Sequence, residues 1–181
     1  MTTTFVVHVE DRPGVLTRVT EVFRRRSYNI SSLTVGPTHE RGVSRMTIAF
    51  EADRSAARRL EANLYKLVNV LRVDDITERA AVHRDLAIVK VATSPETRSD
   101  VMQLVEVFRA RVVDVAPTSL VIEITGTGDK IDGLVEVLRP YGLLELARTG
   151  VVAMTRGLDL VHRKPRAGEP VGDDPTIAHS V

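Results

Sequence analysis

The chain has 181 residues, of which 43% are hydrophobic, and its formal net charge at pH 7 is +1. A chain of this length buries one or two small cores and is too short for most large multi-domain enzymes. Because the net charge is close to zero, no basic field extends over the molecule, and we expect neither nucleic acid nor a membrane as a partner. The sequence has no cysteine, which excludes disulfide bonds and thiol catalysis.

The sequence shows no pattern typical of a targeting signal. Residues 1–4 lack the charged stretch and the following apolar segment of a signal peptide, and no apolar run approaches the ~18 residues of a membrane-spanning helix. We therefore expect a soluble protein of the cytoplasm.

The N-terminal segment predicts a strand, a turn and an amphipathic helix. Residues 4–10 are apolar and β-branched around a few polar positions, which favours a strand. Asp11-Arg12-Pro13-Gly14 follows as a turn. Apolar residues then recur at helical spacing, at Val15, Leu16, Val19, Val22 and Phe23. Tyr28-Asn29-Ile30 opens a second strand.

The turn before this helix has the chemistry of a small anion site. Pro13 suits the first turn of a helix because its missing N–H would have no partner there, and Gly14 presents only backbone to a ligand. The unpaired amides of a helix start carry partial positive charge and bind carboxylates. Asn29 can both donate and accept hydrogen bonds, as a zwitterion requires. The pattern therefore favours a free amino acid as ligand.

A structural interpretation fits the same residues. Asp11 can cap the helix, Pro13 and Gly14 can be turn residues, and Asn29 can end the helix in a left-handed conformation. The run Arg24-Arg25-Arg26 is interpreted in the same way, as cations that complement the dipole in the last helical turn. Spacing alone leaves both interpretations open.

The rest of the first half completes a βαββαβ order. Residues 30–35 and 43–50 have strand character and are separated by turn residues. Asp53 is predicted to cap a second helix, and residues 70–76 form the last strand. The apolar positions of that helix are Leu60, Leu64, Leu67 and Val68.

The same order begins again near residue 84. Strand patterns at 86–92, 112–115, 120–124 and 143–147 alternate with two helices. Pro95 and Glu96 open the first of these helices, and Asp129 is predicted to cap the second. Glu21-Val22-Phe23-Arg24 recurs as Glu106-Val107-Phe108-Arg109, which indicates a duplication.

The sequence therefore predicts an α+β fold with two ferredoxin-like βαββαβ domains, each an antiparallel sheet with helices on one face. The predicted boundaries are 1–78 for the first domain, 79–83 for a linker and 84–161 for the second domain. Residues 162–181 are rich in Pro, Gly and Asp, which predicts a disordered tail. We expect the helix-free faces and the sheet edges to be available to a partner.

Other kinds of chemistry have weak support. The histidines lack the spacing of metal ligands, and His8 on a strand is interpreted as structural, so no metal site is predicted. Gly126-Thr127-Gly128-Asp129-Lys130 lacks the Walker spacing. Aromatic residues make up 4% of the chain, too few for the stacked aromatics of an RNA-binding sheet. Without a nucleophile elbow or metal cluster, catalysis by this chain alone is not expected.

Several motifs, in order along the chain, resemble one family. They are Asp11-Arg12-Pro13-Gly14-Val15-Leu16, Tyr28-Asn29-Ile30, Ser32-Leu33-Thr34-Val35, Lys66-Leu67-Val68, Val89-Lys90-Val91 and Ala147-Arg148-Thr149-Gly150. Together they resemble the small regulatory subunit of acetolactate synthase, also called acetohydroxyacid synthase, with its N-terminal ACT domain. The resemblance extends from about residue 4 to about residue 157.

The resemblance implies a non-catalytic subunit without a cofactor or metal of its own. Such a subunit activates a separate catalytic subunit, which holds thiamine diphosphate, a divalent metal and FAD. It also implies a homodimer through the ACT domain and feedback inhibition by a branched-chain amino acid, namely valine, leucine or isoleucine.

The ligand-binding residues that the resemblance implies come from two copies of the chain. They are Asp11, Arg12, Pro13, Gly14, Val15 and Leu16 of one copy, with Asn29 and Ile30 of the other. Many members of the family have Asn at the position of Asp11. A carboxylate at this position attracts the ammonium group of an amino acid and repels its carboxylate.

A second hypothesis comes from a different class of protein. In it, the chain is a stand-alone ACT module that senses an amino acid and regulates another enzyme or a transcription factor. The role of the second domain is also open at this point, between activation of a catalytic subunit and a structural role.

Overall fold

The computed structural model of the chain describes residues 1–157, and the predicted disordered tail at 162–181 lies outside the described residues. The strands are β1 (Thr2–Glu10), β2 (Ile30–Pro37), β3 (Val43–Glu51), β4 (Val70–Asp75), β5 (Ala81–Ala92), β6 (Arg111–Ala116), β7 (Ser119–Gly126), β8 (Leu143–Arg148) and β9 (Val152–Thr155). The helices are α1 (Val15–Arg25), α2 (Arg54–Leu64), α3 (Arg98–Val107) and α4 (Gly128–Gly142).

The first half forms a four-stranded antiparallel sheet in the order β2-β3-β1-β4. Successive side chains of a strand point to opposite faces. Phe5, Val7 and Val9 of β1 are therefore buried together against α1 and α2, whereas Val6 and His8 lie on the helix-free face. The two helices cover one face of this sheet.

The core of the first half contains an aromatic cluster around Phe50 of β3. The rings of Phe5, Phe23 and Tyr28 contact the Phe50 ring edge-on, at centroid distances of 5.0, 5.1 and 5.9 Å. Each aromatic pair of this kind contributes about 0.5–1.5 kcal/mol beyond the apolar area that it buries. Because Phe23 lies in α1 and Tyr28 follows it, the cluster fixes the end of this helix against β3.

The second half repeats this plan. Its sheet has the order β6-β7-β5-β8, the same relative order as in the first half, and α3 and α4 pack on one face. Val89, Val101, Ile122 and Leu134 are fully buried in its core. The predicted α+β class with two ferredoxin-like units is confirmed, and the shared connectivity supports a duplication.

The end of the second helix and the start of the fourth differ from those expected. The second helix ends at Leu64, because Leu67 N–H donates to the Leu64 carbonyl three residues back and tightens the last turn. Val68, predicted on the apolar face of this helix, is 90% exposed. Asp129 does not cap the last helix, which begins at Gly128, so its carboxylate lies in the first turn instead.

The long strand β5 has two sets of partners. Residues 81–84 pair with β9, and the later part of the strand lies between β7 and β8. Residues 81–83, which we predicted as part of a linker, therefore belong to a strand. The sequence did not predict β9, because four residues give too short a pattern for a clear alternation.

The chain crosses back to the first half after β8, through residues 149–155, which we name the crossing segment. The Val151 amide donates to Ser32 Oγ at 2.9 Å, and Thr34 Oγ1 donates to the Val151 carbonyl at 2.8 Å. Both partners lie on β2, at the edge of the first sheet. The crossing segment is thus hydrogen-bonded to the first half by side chains of its edge strand.

The crossing segment also buries part of the helix-free face of the first sheet. Ala153 is fully buried and packs with Val6 and Ile76, and the Arg45 guanidinium donates to the Ala153 carbonyl. We expected this face to be available to a partner, but the chain covers part of it with its own C-terminal residues.

Gly150 makes this crossing possible. Its φ of +84° is a conformation that favours glycine, and a Cβ at this position would lie 2.5 Å from Ser32 Oγ. We expect Gly150→Ala to lower the free energy of unfolding by about 2–3 kcal/mol, from backbone strain and from displacement of a hydrogen-bonded hydroxyl. Urea denaturation measures this loss.

Gly42→Ala is the matched control for this substitution. Gly42 has a φ of +78°, and a Cβ at this position would meet no atom within 4 Å. Its replacement by alanine therefore lowers the free energy of unfolding only through backbone strain, by about 1–2 kcal/mol. An equal decrease in the free energy of unfolding for the two alanine variants would contradict the close contact at Gly150.

His8 lies half-buried on the helix-free face, where its Nδ1 has no hydrogen-bond partner among residues 1–157. Burial, helped by the positive charges of Arg72 and Arg45, lowers the pKa of His8 from 6.5 to about 4. The imidazole is therefore neutral at neutral pH.

This shift predicts acid sensitivity. Between pH 6.5 and pH 4 the unfolded chain protonates His8 while the folded chain does not, so the free energy of unfolding falls by at most about 3 kcal/mol as the pH falls through this range. We expect a shallower pH dependence in His8→Gln. Urea denaturation of both proteins across this range measures the difference, and parallel curves would contradict it.

Candidate functional site

The start of α1 differs from the helix start that the sequence predicted. The helix begins at Val15, and the residue before it, Gly14, has a left-handed backbone with φ of 82°. Pro13 lies in the turn that precedes the helix, not in its first turn. A Cβ at Gly14 would meet no atom within 4 Å, so this position is open on its outer side.

The first turn of α1 has backbone amides that no group of the chain satisfies within the described residues. No side chain caps this helix, and Asp11 does not serve as its cap. The Val15 amide donates to the Arg12 carbonyl at 3.3 Å, whereas the amides of Leu16 and Thr17 have no acceptor among residues 1–157. Exposed amides at a helix start attract anions.

The residues predicted around this turn lie together, and most are accessible. Asp11, Arg12, Pro13 and Gly14 are exposed, and Leu16 is 41% exposed. The Val15 side chain is the exception, since it is buried in the core of the first half. Val15 therefore packs in the core beneath the turn and does not line the outer surface of the turn.

The sequence analysis missed a group of side chains that surrounds this turn. Asn69, which precedes β4, donates to Glu10 Oε2 at 2.8 Å and accepts from the Arg18 guanidinium at 2.7 Å. Arg12 lies 3.5 Å from the same Glu10 oxygen. These contacts connect the Arg12 and Arg18 guanidinium groups through Glu10, the last residue of the strand before the turn. No local sequence signal indicates the group, because Asn69 and Glu10 are 59 residues apart.

The other predicted site residues lie beyond the far end of α1. Ser27, with φ of 58°, is the left-handed residue that follows the helix, so Asn29 does not have the role of a helix stop that we considered. Asn29 is exposed, and its side chain has no hydrogen-bond partner within the described part of the chain. Ile30 begins β2 and pairs with Phe50.

The length of α1 separates the two groups of site residues. Its 11 residues make a helix of about 16 Å. The structure therefore brings Asp11 to Leu16 together, but it does not bring Asn29 and Ile30 to them within one chain. A small ligand that contacts both groups requires a second copy.

Two features are absent from residues 1–157, namely a metal-binding cluster of side chains and a membrane-spanning helix. Within this range no cluster of three or more His, Asp or Glu side chains is suited to a metal ion. None of the helices in this range has the length and apolar character to span a membrane.

Comparison with known proteins gives consistent results for both halves. Residues 5–72 match the family model described as an AHAS small subunit-like ACT domain, and residues 84–157 match the model described as the small subunit of acetolactate synthase. The fold, the open helix start and the first of these matches define an ACT-domain protein.

Individual relatives agree with the family models. The chain is 47% identical to a probable acetolactate synthase small subunit of Archaeoglobus fulgidus, over 85% of this chain and 96% of the relative. It is 46% identical to the acetolactate synthase small subunit of Mycolicibacterium smegmatis, over 86% of this chain and 92% of the relative.

A solved structure shows the same similarity in three dimensions. The small subunit of acetolactate synthase from Thermotoga maritima superimposes with a TM-score of 0.82 at 36% identity, covering 87% of this chain and 98% of that one. The chain belongs to the family of acetolactate synthase small subunits. The resemblance found in the sequence is confirmed, and this membership is consistent with a regulatory, non-catalytic role.

Proposed function

We propose that the chain is a regulatory subunit that activates the catalytic subunit of an acetolactate synthase and makes it sensitive to a branched-chain amino acid. In this proposal the chemistry belongs to the catalytic subunit, which holds thiamine diphosphate, a divalent metal and FAD. The observation that carries the proposal is the open, uncapped start of α1 in a chain of this family.

The effector site in this proposal lies between two copies of the chain. The edge strand β2 has no strand partner on its outer side among the described residues. Antiparallel pairing of β2 with the β2 of a second copy satisfies its free backbone groups and produces a two-fold dimer. Since α1 connects β1 with β2, the two α1 helices then lie side by side and run in opposite directions.

This arrangement completes the site. Antiparallel α1 helices bring the start of one helix to the end of the other, which places Gly14 of one copy beside Asn29 and Ile30 of the second. The 16 Å separation within one chain, about the length of α1, thereby becomes a contact between chains. The symmetry gives two equivalent sites per dimer.

The groups at each site suit the parts of a branched-chain amino acid. The free amides of Leu16 and Thr17 can hydrogen-bond its carboxylate, and the carboxylate of Asp11 with the amide oxygen of Asn29 can accept from its ammonium. The Leu16 and Ile30 side chains provide apolar contacts for valine, leucine or isoleucine. Asp11 fits this orientation only if the ammonium lies closer to it than the carboxylate does.

Regulation in this proposal needs only a modest coupling free energy. A ligand that binds the inhibited arrangement more tightly by about 1–3 kcal/mol shifts the equilibrium by about 5-fold to 150-fold. The stand-alone sensor that regulates another enzyme or a transcription factor gains no support from the relatives above, which are small subunits of acetolactate synthase.

Gly14→Asp tests the position of the ligand carboxylate. The new side chain extends into open space and carries a negative charge beside the free amides, so we expect valine affinity to fall at least about 10-fold. We also expect activation of the catalytic subunit to be retained, because a side chain at this position meets no other part of the chain. Isothermal titration with valine and a reconstituted activity assay measure the two effects.

Gly157→Asp is the control for backbone strain. Gly157 has φ of +72°, and a Cβ there meets no atom within 4 Å, so the same residue enters the same type of conformation away from α1. We expect this variant to bind valine normally. Unchanged valine binding in Gly14→Asp would place the site elsewhere, and equal loss in both variants would assign the effect to folding.

A further inference from the structure

The helix-free face of the first sheet contains a cavity of about 440 Å³. It lies beside the crossing segment, so its walls come from β1, β3 and β4 on one side and from Met154 and Thr155 on the other. This volume is within the range of about 300–1,000 Å³ that is typical of small-molecule sites. The cavity is separate from the start of α1.

Arg45 supplies this cavity with a positive charge that no carboxylate contacts within the described residues. Its guanidinium donates to Thr47 Oγ1 at 3.1 Å and to the Ala153 carbonyl, and both acceptors are neutral. The side chain is half-buried, and burial together with the charge of Arg72 lowers its pKa, an effect that the Asp74 carboxylate partly opposes without contacting Arg45. A half-buried cation with only neutral acceptors favours the entry of an anion.

The other charged groups of the cavity do not neutralise Arg45 by contact. Asp74 Oδ2 accepts from Arg72 Nε at 2.6 Å and lies 4.0 Å from His8 Nδ1. Glu40 also lines the cavity, on an exposed turn, together with His39 and Arg79. His8 is neutral at neutral pH.

Apolar side chains form the remainder of the lining. Val6, Val43 and Ile76 are buried, and Leu71 and Met154 also line the cavity. A cavity that joins a guanidinium to an apolar surface is suited to an organic anion, since inorganic anions gain nothing from the apolar part. The buried carboxylate, Asp74, is occupied by Arg72, so the cavity offers less to a zwitterion than to a simple anion.

We propose that this cavity binds a small organic anion, a carboxylate or similar group with a compact apolar body, and that Arg45 is its main charge partner. Residues of both halves line the cavity, so an occupant contacts the first sheet and the crossing segment at once. The proposal is independent of the amino acid site at the start of α1.

Three probes separate the contribution of the negative charge from the contribution of the apolar body. Isovalerate carries a carboxylate and a branched apolar body, inorganic phosphate carries only the charge, and isoamyl alcohol carries only the apolar body. We expect isothermal titration of the full-length protein to give the tightest binding for isovalerate. The titrations use the Gly14→Asp background, so that binding at the start of α1 does not contribute and the two sites are distinguished.

Arg45→Met is the variant that removes the charge and keeps an apolar stem. Because hydrogen bonds to charged groups are stronger than those between neutral groups, we expect isovalerate affinity to fall about 10-fold to 100-fold. Arg45→Lys keeps a cation, so we expect it to retain most of the affinity that Arg45→Met loses.

Thr34→Val is the matched structural control. It removes the hydrogen bond from Thr34 to the Val151 carbonyl and so loosens the crossing segment without changing a charge in the cavity. We expect isovalerate affinity to change less than 3-fold, about 0.6 kcal/mol. An equal loss in Thr34→Val and Arg45→Met, unchanged affinity in Arg45→Met, or equal binding of all three probes would each overturn the proposal.

Discussion

The length of α1 is the constraint on which the proposed function of this chain depends. Its residue count sets the distance between its two ends, and the contacts of Phe23 and Tyr28 with Phe50 hold the last part of the helix against β3. The open amides lie at one end and Asn29 lies at the other. In the proposed function a small zwitterion contacts both ends only between two copies, so the proposal makes effector binding and dimer formation parts of one event.

The crossing segment connects the two halves at β2, the strand that begins with the predicted site residue Ile30. Ser32 and Thr34, which hold Val151, lie on β2 only a few residues after Ile30, and β2 is also the edge proposed to pair with a second copy. A change in the position of β2 therefore acts directly on Val151, which follows β8 of the second sheet. The repeated βαββαβ halves are joined by these specific contacts as well as by the chain itself.

The sequence predicted much of the fold because its signals are local. Alternation and helical spacing give the βαββαβ order twice, and Asp53 was correctly predicted as a cap, since its carboxylate accepts from the Ala56 amide at 2.7 Å only three residues away. Features that depend on distant residues were missed, namely β9, which needs β5 as a partner, and the contact of Asn69 with Glu10. The start of α1 was placed early because Pro13 suits a first helical turn, whereas the left-handed Gly14 precedes a helix that begins at the next residue.

The most direct test of the shared site is complementation between two defective variants. Gly14→Asp and Asn29→Ala are each expected to lose valine binding as homodimers, because each changes both sites. If the site is formed by two copies, dimers assembled from an equal mixture regain about one quarter of the sites, since about half of the dimers are mixed and each mixed dimer has one intact site. Titration calorimetry that finds this recovery supports the account, and a mixture that binds no more valine than the separate variants contradicts it.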